Sequence, residues 1–267
     1  SDIKAKFSIL IVNDGSTMQR PNNFFNYNNI NTVDVLNMKK NQGPNKSNAT
    51  GMVHLSKNSD FDYLILMDGD GEDRPEELKP LIKKALDKKD VSIVCKRVKR
   101  SEGFIFTFLY NIHKIITLIF TGKNMNFGHY GCLTKKDALF LSSNKNLWCN
   151  FSATVKKFIN PLDTVPCIRG PRYDGQSKVS LFNLIIHSFC IIAVFKYHVL
   201  FRSVLFFLIL SSFLFFQKFL PLIIILQIIL IIFTSIILLL SKRSNIDELN
   251  NSVSNIDEKV NIHTRKL

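Results

Sequence analysis

Acidic side chains are the scarce charged class in this 267-residue chain: 21 Asp and Glu stand against 35 Lys and Arg, for a net charge of +14. That balance points to an anionic partner, either a membrane surface or nucleic acid. No zinc-finger, RNA-binding or helix-turn-helix signature accompanies the charge, and mean hydropathy is +0.10. Much of the apolar excess lies near the C-terminus. A membrane partner is therefore expected, and nucleic acid is not. Cysteine is sparse too. Cys95, Cys132, Cys149, Cys167 and Cys190 are scattered, with no CxxC pair. An odd, dispersed set predicts reduced, buried thiols and a cytosolic face. No secretory signal pattern is visible, and the Asn-x-Ser/Thr triplets at Asn48 and Asn150 carry no weight in a chain this rich in asparagine.

The long apolar runs come late. Phe219–Ser241 is 23 residues without a charge. As a helix rising about 1.5 Å per residue it covers a hydrocarbon core about 30 Å thick. Val199–Gln217 is a second candidate, with Arg202 near its start placed to snorkel. Lys218 and Pro221 mark a tight connection, so the pair reads as a transmembrane hairpin over 199–241, preceded by a juxtamembrane helix over 181–198. Lys196, Arg202, Lys242 and Arg243 flank it and only Lys218 lies in the far turn, which puts both ends on the cytoplasmic side. The tail over 242–267 is polar and is predicted to be flexible. A third run, Phe104–Phe120, carries Asn111, His113 and Lys114 in its middle. Their cost favours a helix in the membrane interface over a third span.

The first 180 residues read differently. Phe7–Val12 is an apolar strand running into Asn13-Asp14-Gly15-Ser16-Thr17, which puts a carboxylate at a sheet's C-terminal edge. Val33–Met38 is a second strand, followed by Asn41-Gln42-Gly43 and a helix from about Lys46 to Lys57. Leu64–Met67 is a third strand and delivers Asp68, Asp70 and Glu72. Pro75 then opens an acidic first turn of a helix from Glu76 to about Lys88. Val91–Cys95 is a further strand, ending in Lys96-Arg97. The alternation predicts an α/β fold with a mostly parallel sheet. Carboxylates on a loop at a strand's end can hold a divalent cation against a diphosphate. A calcium loop of the EF-hand type is excluded, because its required Gly and Glu positions, counted from Asp68, are Asp73 and Lys79. Oxygen ligands suit Mg²⁺ or Mn²⁺.

The order of Val-Asn-Asp-Gly-Ser (12–16), Asn-x-Gly (41–43), Met-Asp-Gly-Asp-Gly-Glu-Asp-Arg-Pro-Glu (67–76) and Arg-Tyr-Asp-Gly-Gln-Ser-Lys (172–178) resembles family 2 glycosyltransferases. More narrowly it looks like the polyprenyl-phosphate, dolichol-phosphate mannosyltransferase-like members. The resemblance spans about residues 7–241. It implies a GT-A-type nucleotide-sugar-binding domain over 1–180 and a metal-dependent, inverting transfer of a sugar from a nucleotide-diphosphate donor to an undecaprenyl or dolichyl phosphate. By that resemblance Asn13, Asp14, Gly15, Ser16, Asn41 and Gly43 line the nucleotide. Asp68 and Asp70 bind metal and diphosphate, with Glu72 a further metal ligand. Asp70, Arg97, Arg172 and Lys178 carry the chemistry, and Arg100 assists Arg97. A homo-oligomer is compatible with the reading.

Two departures stand out. Asn13 replaces the usual first aspartate, and the chain starts at what looks like the relatives' second strand, so the first strand is expected to be lacking. The alternative is therefore a catalytically degenerate, membrane-anchored binding module. A processive polysaccharide synthase is disfavoured, because the single Trp148 is not preceded by Gln-x-x-Arg.

Overall fold

A computed structural model describes residues 5–16, 29–99, 104–173, 180–215 and 217–264 of the chain. The first strand, β1 (Phe7–Asn13), lies parallel to β2 (Ile30–Met38). Helix α1 (Pro44–Asn58) follows, with Pro44 in its first turn. Then come β3 (Tyr63–Leu66), a 3₁₀ turn at Pro75–Glu77, α2 (Leu78–Asp87) and β4 (Ser92–Lys99). Helix α3 (Phe104–Thr121), β5 (Phe127–Thr134), α4 (Lys135–Ser142), α5 (Phe151–Phe158) and β6 (Leu162–Ile168) complete the N-terminal part.

The expected mostly parallel sheet is instead two mixed sheets. One has the order β3–β5–β4–β6, in which β5 runs antiparallel to both neighbours and β4 and β6 are parallel. Its side chains alternate between two layers, as the period of a strand requires. Leu64, Leu66, Val94 and Leu133 face the core under α1, α4 and α5. Ile93, Cys95, Tyr130, Cys132, Val165 and Cys167 face α2. All five cysteines are free and buried.

The other sheet holds the larger correction. The tail expected to be flexible forms α9 (Ile246–Asn250), a 3₁₀ turn at Asn251–Asn255 and β7 (Ile256–Thr264), which pairs antiparallel with β2. Asn245 caps α9 by accepting from the backbone N–H of Asp247 and Glu248, Leu249 is fully buried, and Trp148 Nε1 donates to Glu248 at 2.6 Å. Among the described residues β1 pairs only with β2, and β3 only with β5. The β1 sequence is apolar on both faces, as in a central strand. Yet Ile9 and Ile11 are 40% and 39% exposed, so β1 is an apolar, association-sensitive edge.

The apolar helices also depart from expectation. α6 (Leu181–Ala193) and α7 (Lys196–Ser212) meet at 89°, and among the described residues one helix is long and apolar enough to cross a membrane, the one starting at Leu220. Its apolar body is α8 (Leu220–Ser241). At about 1.5 Å per residue, the 17-residue α7 alone is short of a bilayer core, so the two-helix hairpin is not shown. The two helices do pack together, with Thr234 Oγ1 donating to Ser203 Oγ at 2.8 Å and Gln227 Nε2 donating to Ser211 Oγ at 2.9 Å. Arg202, expected to snorkel, donates to the carbonyls of Leu118 and Ile119. It thereby satisfies the open C-terminal end of α3.

Candidate functional site

Two segments brought together from distant parts of the chain form the site. The loop after β3 carries Asp68 to Asp73. The segment after β6 carries Arg169 to Tyr173. They zip through backbone hydrogen bonds from Gly170 N to Glu72 O at 2.9 Å and from Tyr173 N to Asp70 O at 2.8 Å, with an isolated antiparallel bridge between Asp73 and Arg169. Gly71 makes the close approach feasible. Its φ is +92°, and a Cβ there would lie 2.8 Å from the Tyr173 ring. Gly71→Ala is expected to cost about 1–3 kcal/mol, read as a lowered Tm together with a raised KM for the donor.

The zip pairs acid with base. Asp70 Oδ2 lies 2.9 Å from Arg172 Nη1, Glu72 is bridged to Arg169, and Asp73 Oδ1 is 4.0 Å from Arg97 Nη2. Burial, the neighbouring Asp70 charge and, more weakly, Glu72 push the Asp68 carboxyl above its usual range, against the pull of Arg97 and Arg169. Asp73 is 4% exposed and accepts from Asp68 N at 3.0 Å. Burial, then the Asp68 charge, raise it to about 6.

That elevation has a sign. Between the ordinary aspartate value of about 4 and about 6, folded protein holds a proton that unfolded protein has lost. Stability therefore falls as pH rises through this window, by about 3 kcal/mol at most. Asp73→Asn keeps an acceptor for Asp68 N and cannot ionise. We expect its stability advantage over the parent to appear between pH 4 and 6 in paired denaturation curves.

The residues expected to line the nucleotide form a wall at the end of β1. The Asp14 carboxylate accepts from Gln42 N at 2.9 Å and Gly43 N at 2.8 Å, and Asn41 Nδ2 donates to Asp14 O at 2.8 Å. This ties the start of α1 to β1. Gly15 and Gly43 both have positive φ, +73° and +85°. Asn13 Oδ1 accepts from Ser16 N, and Asn13 Nδ2 donates to Asn37 Oδ1 at 2.9 Å; Asn37 in turn donates to Glu258 on β7 at 2.6 Å. The tail strand thus braces the wall.

The structure therefore brings Asp68, Asp70, Glu72, Arg97 and Arg172 together. It places Asn13, Asp14, Gly15, Ser16, Asn41 and Gly43 on one wall at the end of β1. Lys178, Arg100 and Gly175 lie outside the described residues. Among the described residues no three His, Cys, Asp or Glu side chains converge as a metal site. The expected triad is not gathered, because Asp70 and Glu72 turn to Arg172 and Arg169. The donor set still fits a hard cation. Asp68 and Asp70 repel one another on a half-buried loop, and a divalent ion would relieve that repulsion. Sequence reading missed Arg169 and Asp73. Arg169 stands three residues before Arg172 in an Arg-Gly-Pro-Arg run, and Asp73 directly follows Glu72, so both lay beside residues already singled out.

The family model described as glycosyl transferase family 2 matches residues 3–148, more than half of the chain. That stretch contains the Asp14 wall, the Asp68–Asp73 loop and α3; the segment from Arg169 to Tyr173 and the helices α6 to α8 lie beyond it. The family's fold is GT-A-type α/β, and its reaction is glycosyl transfer from a nucleotide sugar. With the acidic loop at the end of β3 and the capped wall at the end of β1, the chain belongs to the glycosyl transferase family 2.

Proposed function

We propose that the chain transfers a sugar from a nucleotide-diphosphate donor to the phosphate of a membrane polyprenyl lipid. The observation that carries this reading is the arginine zip, in which Arg172, Arg169 and Arg97 crowd an acidic loop beside a set of apolar helices. Asp68 and Asp70 would hold Mg²⁺ or Mn²⁺, which when bound neutralises the diphosphate and stabilises it as a leaving group. Arg172, released from Asp70, turns to the departing diphosphate, where a fixed cation stabilises developing charge. Arg97 faces the acceptor side, with Lys178 a further cation in this reading. A lipid phosphate oxygen attacks the anomeric carbon, the bond from that carbon to the β-phosphate oxygen breaks, and the nucleoside diphosphate leaves with the electron pair. One displacement inverts the centre. The acceptor is already anionic, so no protein base is needed.

The membrane setting is supported by surface chemistry. Ile112, Ile115, Leu118 and Ile119 on α3, and Ile224, Ile225, Ile228 and Ile229 on α8, are all at least 38% exposed. A water-facing patch of this kind is unfavourable, and lipid removes the penalty. β7 follows α8 in the chain and pairs with β2, which precedes it. Segments on either side of a membrane region that share a sheet require an even number of crossings. If α8 crosses, the bent α6–α7 pair would supply the return as one broken span, a different arrangement from the hairpin over 199–241, and would put the catalytic part and the tail on one side, the cytoplasmic one by the flanking charges.

The test is nucleoside diphosphate release from UDP- and GDP-hexoses by protein in vesicles with and without undecaprenyl phosphate. Release that requires both the lipid phosphate and a divalent metal supports the proposal. Release that proceeds only with a hydroxyl acceptor, or with none, overturns it. No release together with no nucleotide binding favours the degenerate binding module.

A further inference from the structure

Five cations gather where the N-terminal part meets the apolar helices. The bonds between α7 and α8 set the register: Ser203 meets Thr234 and Ser211 meets Gln227. Followed along the antiparallel pair, that register brings Lys196, the first residue of α7, level with Lys242, which directly follows α8. Arg243 reaches back to α6, where its Nη1 donates to Cys190 Sγ at 3.7 Å. Lys157 of α5 reaches the same end of α6, and its Nζ donates to Val194 O at 2.6 Å, a favoured place for a cation. Ser244 Oγ donates to Asn146 Oδ1 at 3.1 Å and ties the chain after α8 to the 3₁₀ turn Lys145–Trp148, which brings in Lys145. Burial first, then the Lys196 and Lys145 charges, hold Lys157 below the usual lysine range. Among the described residues none of the five is salt-bridged to a carboxylate. Like charges crowded in this way repel, and a counter-anion relieves them.

We propose that Lys145, Lys157, Lys196, Lys242 and Arg243 form a collar that binds the anionic headgroups of bilayer phospholipids. The surface beside the collar selects the occupant. Leu200 and Phe201, one turn after Lys196, and Leu239, one turn before Lys242, are exposed. Phe158 and Ile246 line an open groove together with Lys145. Adjoining cationic and apolar surfaces suit a lipid, which presents a phosphate and an acyl body together, and do not suit a soluble polyanion. Bound headgroups fix the depth of α7 and α8 in the bilayer and hold the N-terminal part against it. The collar rests on the membrane setting of the apolar helices and not on the acceptor of the sugar.

The experiment is equilibrium binding of dioctanoyl phosphatidylserine, and separately of dioctanoyl phosphatidylcholine, to the full chain in an uncharged detergent. Inorganic phosphate is the competitor, and no prenyl phosphate is present. The parent is compared with Lys145→Gln, Lys242→Gln and the double variant, all at exposed positions, and with Lys83→Gln on the exposed side of α2 as a control for net charge. The serine lipid should bind more than about tenfold tighter than the choline lipid, lose about fivefold for each collar lysine removed, and weaken as salt is raised. Lys83→Gln should bind as the parent does, and every variant should melt no lower than the parent. Equal affinity for the two lipids overturns the collar, as does a loss in Lys83→Gln equal to that in the collar variants. Inorganic phosphate that competes as strongly as the serine lipid also overturns it, because the occupant is then a free anion. A chain that stays soluble and monodisperse once detergent is removed overturns the membrane setting, and the collar with it, while leaving transfer to the sugar acceptor to be judged by its own assay.

Discussion

Asp70→Asn is expected to reduce sugar transfer by a factor on the order of 10²–10³, the range seen when one preorganised charge-stabilising group is removed. In the unliganded protein Asp70 is held by Arg172 at 2.9 Å. In the proposed function Asp70 would instead help hold a divalent metal when the donor binds, and Arg172 would be freed to face the diphosphate. The variant breaks both halves of that exchange while leaving the backbone bond from Tyr173 N to Asp70 O in place. Folding should therefore survive, and removing a carboxylate beside the half-buried Asp68 relieves one of the charges that raise it. The signature is an unchanged or raised Tm, loss of the Mn²⁺-dependent part of UDP or GDP affinity, and a fall in kcat. A variant with full metal-dependent affinity would remove Asp70 from the site.

Ending the chain at Asn255 is expected to be nearly as damaging, for a different reason. It deletes β7 and leaves β1 and β2 as a two-stranded ribbon, a unit that is marginal in isolation. It also removes Glu258, through which Asn37 and Asn13 are braced. The Asp14 wall should loosen, and soluble yield and donor affinity should fall together. A finer probe is Leu249→Ala, which empties a fully buried position and should cost about 2–5 kcal/mol. Unfolding curves that match the parent in both variants would show that the tail is not part of the fold.

That tail marks where local sequence stops being informative. Residues 244–264 are rich in Asn and Ser, and the composition reads as coil. What orders them is non-local: the open edge of β2, the Trp148 indole and the core around Leu249. The antiparallel β5 is hidden for a similar reason, since strand direction is a property of pairing. The break between α6 and α7 falls at Lys196, near the boundary at 198/199 that the charges suggest, but the 89° angle between the two helices is set by packing that the sequence pattern does not show. By contrast, the Asp68–Glu72 loop is legible because each part has a local cause: an apolar strand before it, Gly71 at a positive φ, and Pro75 opening the next turn. Arg172 was legible only through its resemblance to a known motif. Its partner Asp70 lies about a hundred residues away, a pairing that periodicity does not disclose.

Transfer to a lipid phosphate is read out by the identity of the product. The full chain is incubated with labelled nucleotide sugars, Mn²⁺ and undecaprenyl or dolichyl phosphate, and the organic extract is analysed by mass spectrometry. Transfer to the lipid phosphate gives a species whose mass is that of the lipid phosphate plus one sugar, lost in Asp70→Asn. Label that remains water-soluble, or that appears on a glycan or protein hydroxyl in lipid-free controls, would contradict it.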